Sequence, residues 1–272
     1  IALLFDKNLR KLDHDVRAFK ELLTKIIREA VVKFENKQPG QVKKNKGILD
    51  IMLEKGKTES YWANEKRLIG NFNFFFAAGT ETTAHTVSMV MYQLSQNPEA
   101  RQKVLNELDA SWDGKSQITH EIVQKLQYLG AVIDETLRLN PPLAGNFPRV
   151  AQRDHYLKDV LVKKGTMVSP IFLGPAYSEK HHKDAGAFKP ERWMKNDPNY
   201  EKLDPFAHIP FAHGPRACLG QHLALLEAKV VLATFMKRYN FEMTDKNYKL
   251  TLVLRAGLEP AIPLNFVLTR RI

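Results

Sequence analysis

Residues 211–220 (FAHGPRACLG) hold the chain's single cysteine, Cys218. Gly214, Pro215 and Gly220 punctuate this stretch, and an apolar-periodic pattern predicts a helix over 218–238. The arrangement predicts a tight loop that delivers a thiolate at a helix N-terminus. The unpaired N–H groups and dipole of such an end favour an anionic sulfur. A thiolate of this kind can be an axial ligand to haem iron. A lone cysteine in a turn can also be a buried, inert thiol, so the loop has to be weighed with three further motifs.

The second motif lies in the longest helical pattern, 65–96, which Pro98 terminates. At about 1.5 Å per residue it would span ~48 Å. Residues 72–78 are apolar almost all round, which predicts burial on most faces. Gly79, Thr80, Glu81, Thr82 and Thr83 follow; they lower helix propensity or compete for backbone hydrogen bonds. A buried Glu81 costs free energy unless it is paired, so it marks either function or an internal salt bridge. Gly79 would leave room for a ligand against the helix face. A threonine hydroxyl folded onto a carbonyl one turn back would open the helix to water.

The third motif is Glu135 with Arg138, three residues apart in a helix predicted over 128–139 and stopped by Asn140, Pro141 and Pro142. As a surface pair it would be worth only about 0.3 kcal/mol. The fourth is Pro190, Glu191, Arg192 and Trp193, inside the irregular stretch 187–210. Long irregular segments are uncommon in compact domains unless they are functional.

Other elements must position these residues. Helices are predicted over 12–35, 48–53 and 98–108, and a short one with Thr119 as N-cap ends near Lys125. The polar stretch 36–46, with Pro39 and Gly40, reads as a loop. Short strands are expected at 147–151, 155–157, 160–162 and 166–168, with Arg149 at their start. Residues 175–183 read as a short helix or turn, with His181 and His182 at the surface. Closing strands are expected at 239–243, 248–254 and 264–268, the last two separated by Gly257 and Pro260. The predicted class is mainly α with small β-sheets (α+β).

Bulk properties bound the function. The chain has 272 residues, enough for one large domain. One cysteine excludes an intrachain disulfide framework and a multi-cysteine zinc cluster. No run of 18 apolar residues predicts a transmembrane helix. The net charge is +11, spread along the chain with one denser run at Lys43, Lys44 and Lys46. No nucleic-acid module accompanies it; an acidic protein partner or an anionic membrane surface suits it better. The chain opens on Ile1 within a helical pattern and reads as a piece of a longer protein.

With the four motifs in one order, the chain resembles the C-terminal half of a cytochrome P450, the haem-thiolate monooxygenase family. Phe211, Gly214, Arg216, Cys218 and Gly220 match the family's haem loop. Ala78, Gly79, Glu81, Thr82 and Thr83 match its oxygen-activation segment. Glu135 and Arg138 match its Glu-x-x-Arg helix, and Pro190, Glu191 and Arg192 its Pro-Glu-Arg element. Trp193 stands where Phe is commoner, and His213 where a small residue is usual.

The resemblance implies the C-terminal portion of a single cytochrome P450 domain over 1–272, with an N-terminal portion missing. It implies a haem b (iron protoporphyrin IX) whose iron takes Cys218 as axial ligand. Phe211 would pack beside the sulfur and limit its exposure, and Arg216 and Arg149 would hold the propionates. Glu135, Arg138 and Arg192 would form a buried structural network. Glu81 and Thr82 would deliver protons on the opposite haem face. The implied reaction inserts one atom of O2 into an apolar lipid, sterol or xenobiotic. Electrons would come from NADPH or NADH through a flavoprotein reductase or an iron–sulfur protein. Alternatives are a peroxide-using or isomerising haem-thiolate enzyme, or an inactive protein of the same fold. The resemblance also implies membrane association through the missing part. The expected location is the cytosolic face of the endoplasmic reticulum, with a mitochondrial membrane as the alternative.

Overall fold

The computed structural model describes residues 7–36, 46–61, 64–255 and 257–271. The predicted loop around Pro39 and Gly40, and Lys43 and Lys44 of the basic run, lie outside the described residues. The chain divides into two compact units, Ile1–Thr80 and Glu81–Ile272.

The first unit contains α1 (Lys7–Glu35), α2 (Ile48–Gly56) and the first half of α3 (Glu65–Gln96). Leu23 and Ile27, four apart on α1, are buried, as are Met52 and Leu68. The Phe19 and Phe76 rings meet at 5.7 Å, and Arg28 Nε donates to Glu65 at 2.6 Å. The expectation that residues 72–78 are buried is corrected here. Phe74 is 64% exposed and Phe76 50%, and Ala77 and Ala78 are exposed too. Only the Phe19 side of the run packs on another helix, which leaves the remaining faces uncovered among the described residues.

The second unit carries the large core. It is built from the rest of α3, α4 (Pro98–Ser111), α5 (His120–Lys125), α6 (Gln127–Leu139) and α8 (Gln221–Arg238), with a short α7 (Leu173–Ala176). Pro98 takes the first turn of α4, where its missing N–H costs nothing. The Thr119 hydroxyl caps α5 by accepting from the Ile122 N–H at 3.3 Å. Val90 and Leu94 of α3, Val104 and Leu108 of α4, Leu129, Val132 and Ile133 of α6, and Leu232 and Met236 of α8 meet in one cluster. Helix α6 is therefore packed on nearly all sides, and its polar residues go inside with the apolar ones.

Four two-stranded antiparallel sheets surround this core. Strand β1 (Arg149–Val150) pairs with β4 (Met167–Val168), and β2 (His155–Leu157) with β3 (Val160–Val162). Strand β5 (Tyr239–Met243) pairs with β8 (Phe266–Arg270) in the register Phe241 opposite Leu268. Strand β6 (Leu252–Leu254) pairs with β7 (Leu258–Pro260). Sequence pattern missed β7: Gly257 and Pro260 read as breakers, yet Pro260 is tolerated at the end of an edge strand. Among the described residues no helix is long and apolar enough to cross a membrane.

Candidate functional site

The cysteine loop is held by its own backbone. The Cys218 N–H donates to the Phe211 carbonyl at 2.8 Å, and the Ala212 N–H to Ile209 at 2.9 Å. Ala212 has φ of 61° and Gly214 φ of 80°, both left-handed. A 3₁₀ turn, Gly214–Arg216, closes with the Ala217 N–H on the Gly214 carbonyl at 3.0 Å. The helix then starts at Gln221, not at 218, because Leu219 and Gly220 complete a turn and Gly220 becomes the N-cap. No side chain caps this helix start, and its first turn holds no acidic residue. Its N–H dipoles are thus not spent on a protein carboxylate.

Cys218 is exposed. Phe211 is half-buried and packs against the core, so it anchors the loop. Leu219 beside the cysteine is 83% exposed. Arg216 is exposed, with no hydrogen bond or ion pair among the described residues. Arg149 is exposed in β1 and donates Nη1 to the Phe147 carbonyl at 3.1 Å, without a carboxylate partner. His213 is exposed, its ring edge-on to Phe206 at 5.2 Å.

Glu135, Arg138 and Arg192 are brought together in the core, at 0%, 1% and 1% exposure. Five donors converge on the one Glu135 carboxylate. Oε1 accepts from Arg138 Nη2 at 2.8 Å, the Lys189 N–H at 2.8 Å and Arg192 Nε at 3.0 Å. Oε2 accepts from Arg138 Nε at 2.8 Å and Trp193 Nε1 at 2.9 Å. Burial raises the pKa of this carboxyl, and the Arg138 guanidinium with its other donors brings it below the ordinary value. Arg138 also donates to the Ala176, Ala185 and Ala187 carbonyls at 2.6, 2.7 and 3.0 Å. The 3₁₀ turn Pro190–Trp193 supplies Arg192 and Trp193. The network thereby pins an irregular segment, rich in unpaired backbone groups, onto α6.

Two contributors to this region had no site role assigned from sequence. Trp193 completes the carboxylate's donor set, and its ring lies 4.5 Å from that of His208. His182 is buried, not at the surface, and His181 is half-buried. His182 is covered because its segment folds beneath Arg192 and Glu201. Adjacent histidines carry no periodicity, so sequence held no signal for this.

In the second half of α3, Glu81 is exposed and has no partner among the described residues, so neither the expected burial cost nor an internal salt bridge applies. Thr82 is half-buried, and its carbonyl accepts the Thr86 hydroxyl at 2.9 Å. The Thr83 hydroxyl is buried with no partner. His85 Nε2 contacts the Asn140 carbonyl at 3.1 Å, and Gln93 donates to the Asn140 side chain at 2.6 Å. These bonds hang this half of α3 on the end of α6, the helix that carries Glu135 and Arg138. In the first unit, a Cβ placed on Gly79 meets nothing within 4 Å.

A cavity of about 840 Å³ opens elsewhere, lined by Tyr128, Asp134, Glu191, Trp193 and Lys229. Burial pushes Asp134 up to about 6 there. The cavity does not include the cysteine loop.

Among the described residues no three His, Cys, Asp or Glu side chains converge on a metal position. Cys218 therefore stands as a lone soft ligand, with an uncapped helix start behind it and two arginines free of carboxylates in the same unit. That donor set fits a metal whose other ligands come from an organic, carboxylate-bearing cofactor, as haem does.

Residues 1–260 match the cytochrome P450 family. Among relatives, cytochrome P450 3A15 of Cavia porcellus is 30% identical over 235 residues, which is 85% of this chain and 46% of that protein. Cytochrome P450 3A2 of Rattus norvegicus is 32% identical over 202 residues, 74% of this chain and 40% of that protein. A crystal structure of a cytochrome P450, CYP102L1, superposes with a TM-score of 0.84 at 28% identity, covering 99% of this chain and 60% of the other. The chain thus spans about half the length of the curated relatives it matches. A loop that presents one cysteine, a buried Glu135–Arg138–Arg192 network and a family match over nearly all its residues lead to one conclusion: this chain belongs to the cytochrome P450 family.

Proposed function

We propose that this chain forms the haem-binding part of a haem-thiolate monooxygenase. The reaction inserts one atom of O2 into an apolar organic substrate and reduces the other to water, using two protons and two electrons from outside. One observation carries the reading: an exposed thiol, fixed by its own N–H on the Phe211 carbonyl at 2.8 Å, directly ahead of an uncapped helix.

Haem, when bound, supplies the oxidising chemistry, and the chain binds, orients and protonates. Cys218 would hold the haem iron through its sulfur, and a thiolate there would supply the electron donation that favours oxygen activation. Arg216 and Arg149 have guanidinium forks available for the propionates. The Glu135 network holds the segment that leads into the cysteine loop and acts structurally. Glu81 and Thr82 move protons from solvent; the exposure of Glu81 and the Thr86 hydroxyl on the Thr82 carbonyl support this. Gly79 leaves space beside its helix. The uncovered aromatic run at Phe74 and Phe76 supports an apolar substrate such as a lipid, sterol or xenobiotic. The net charge of +11 supports docking of an acidic flavoprotein reductase or iron–sulfur protein that delivers electrons from NADPH or NADH.

The test is a difference spectrum of the reduced, carbon monoxide-treated full-length protein. It should show the red-shifted Soret band of thiolate ligation, and Cys218→Ala should remove that band. Intact protein without the band refutes the proposal. Thr82→Ala should keep the haem spectrum but raise the oxygen consumed per product; unchanged coupling removes Thr82 from the proton path.

A further inference from the structure

His182 is buried, and among the described residues neither ring nitrogen makes a hydrogen bond of full geometry; the Ala207 backbone stands near the ring and favours its protonated form. Oε2 of Glu201 is also buried and unpartnered, 3.7 Å from His182 Nδ1. The other Glu201 oxygen accepts from Arg192 Nη1. Arg192 Nη1 and Nη2 both donate to the Lys183 carbonyl at 3.2 Å. A neutral imidazole always keeps one unprotonated ring nitrogen, and burying that acceptor beside an unpaired carboxylate oxygen is costly. Two acceptors 3.7 Å apart cannot bond each other directly. They suit a third group that donates to both.

We propose that His182 and Glu201 are the two walls of an internal water site, and that this bridge holds only while His182 is neutral. The water donates one O–H to the unprotonated ring nitrogen and the other to Glu201 Oε2, and protonation of that nitrogen removes the acceptor the bridge needs. The bridge ties the His182 segment to the Arg192–Glu201 pair, at the edge of the Glu135 network.

The charges that face His182 explain the dependence on its neutrality. Arg138 approaches from α6, Arg192 from the 3₁₀ turn Pro190–Trp193, and Glu201 and His208 from the segments after it. Burial lowers the His182 pKa most, Arg138 and Arg192 lower it further, and Glu201 and the Ala207 backbone act the opposite way. An unfolded histidine takes its proton near ~6.5, before this one does. The contribution to stability is therefore whole above about pH 6.5 and declines as pH falls below it. For one proton, the folding equilibrium constant drops up to about tenfold per pH unit. His208 is pushed down to about 4, chiefly by burial, and adds a similar loss that substitution of His182 leaves in place.

The experiment uses the full-length, haem-loaded protein. Denaturant midpoints are measured from about pH 8 to about pH 5 for the wild type and His182→Gln, whose amide can hold the water but cannot titrate. The variant should stay close to the wild type at neutral pH and lose up to about tenfold less folding constant per pH unit in acid. Parallel acid profiles overturn the dependence on neutral His182. In a crystal structure of the wild type at neutral pH, an ordered water should contact both His182 and Glu201 Oε2. A direct His182–Glu201 bond or an empty gap there overturns the water site, whether or not the variant folds.

Discussion

Ala212 holds a left-handed backbone with φ of 61°, two residues before Gly214 does the same at 80°. A Cβ in that region sits too close to the following carbonyl, a cost of about 1–2 kcal/mol. The loop accepts the cost because the Ala212 N–H on Ile209 and the Cys218 N–H on Phe211 require the chain to reverse there. Glycine would relieve the clash and give back part of the gain through a more flexible unfolded chain. Ala212→Gly is expected to stabilise the full-length protein by about 0.5–1 kcal/mol. Ala212→Val should destabilise it, since a β-branched residue tolerates positive φ worst. Denaturant midpoints of the two variants decide this, and a valine variant as stable as the glycine one would show that the loop is not strained.

At the scale of elements, the Glu135 carboxylate is the joint between α6 and the irregular segment that follows α7. Glu135→Gln keeps the shape but leaves Arg138 buried without a counter-charge and Arg192 with Glu201 alone. Breaking a buried pair by removing one partner costs about 3–5 kcal/mol. Arg192→Lys should also destabilise, because an ammonium cannot reach Glu135, Glu201 and the Lys183 carbonyl together. Both variants should lose bound haem on purification, read as absorbance per protein, and a glutamine variant with full haem content would sink the joint's role. The spacing of Glu135 and Arg138 was legible in sequence, whereas their burial followed from the family resemblance and not from the spacing. An i, i+3 pair reads the same on a surface as in a core, and what decides is that α6 is enclosed by α4, α8 and the Pro190–Trp193 turn. The alternation of β5 was legible because one face meets the core, with Phe241 and Met243 buried. Strand β7 and the burial of His182 were not, since proline and paired histidines carry no periodic signal. The apolar run 72–78 misled in the other direction: composition recorded its hydrophobicity and could not record which neighbours are present to cover it.

The molecule as a whole leaves a good deal of apolar surface uncovered for its length. In the first unit, Phe74 and Phe76 stand exposed next to exposed Ala77 and Ala78. In the second, Leu219, Leu223 and Leu226 recur at four- and three-residue spacing around the start of α8, and all are exposed. Within α8 the three-residue spacing of Leu223 and Leu226 puts both on one helical face, with Leu219 in the turn just ahead of it, so this is a stripe and not scattered residues. A charge of +11 opposes self-association through repulsion, but at ~0.15 M salt that repulsion is screened beyond about 8 Å, while contact between apolar faces is not. Residues 1–272 produced alone should therefore bind a hydrophobic dye strongly and self-associate, and added salt should favour association rather than reverse it. Sedimentation velocity at low and high salt is the measurement. If the chain stays monomeric at both and binds no dye, these faces are covered by a rearrangement of the described fold. If salt disperses the associated species, charge pairing holds it together and the apolar stripes do not.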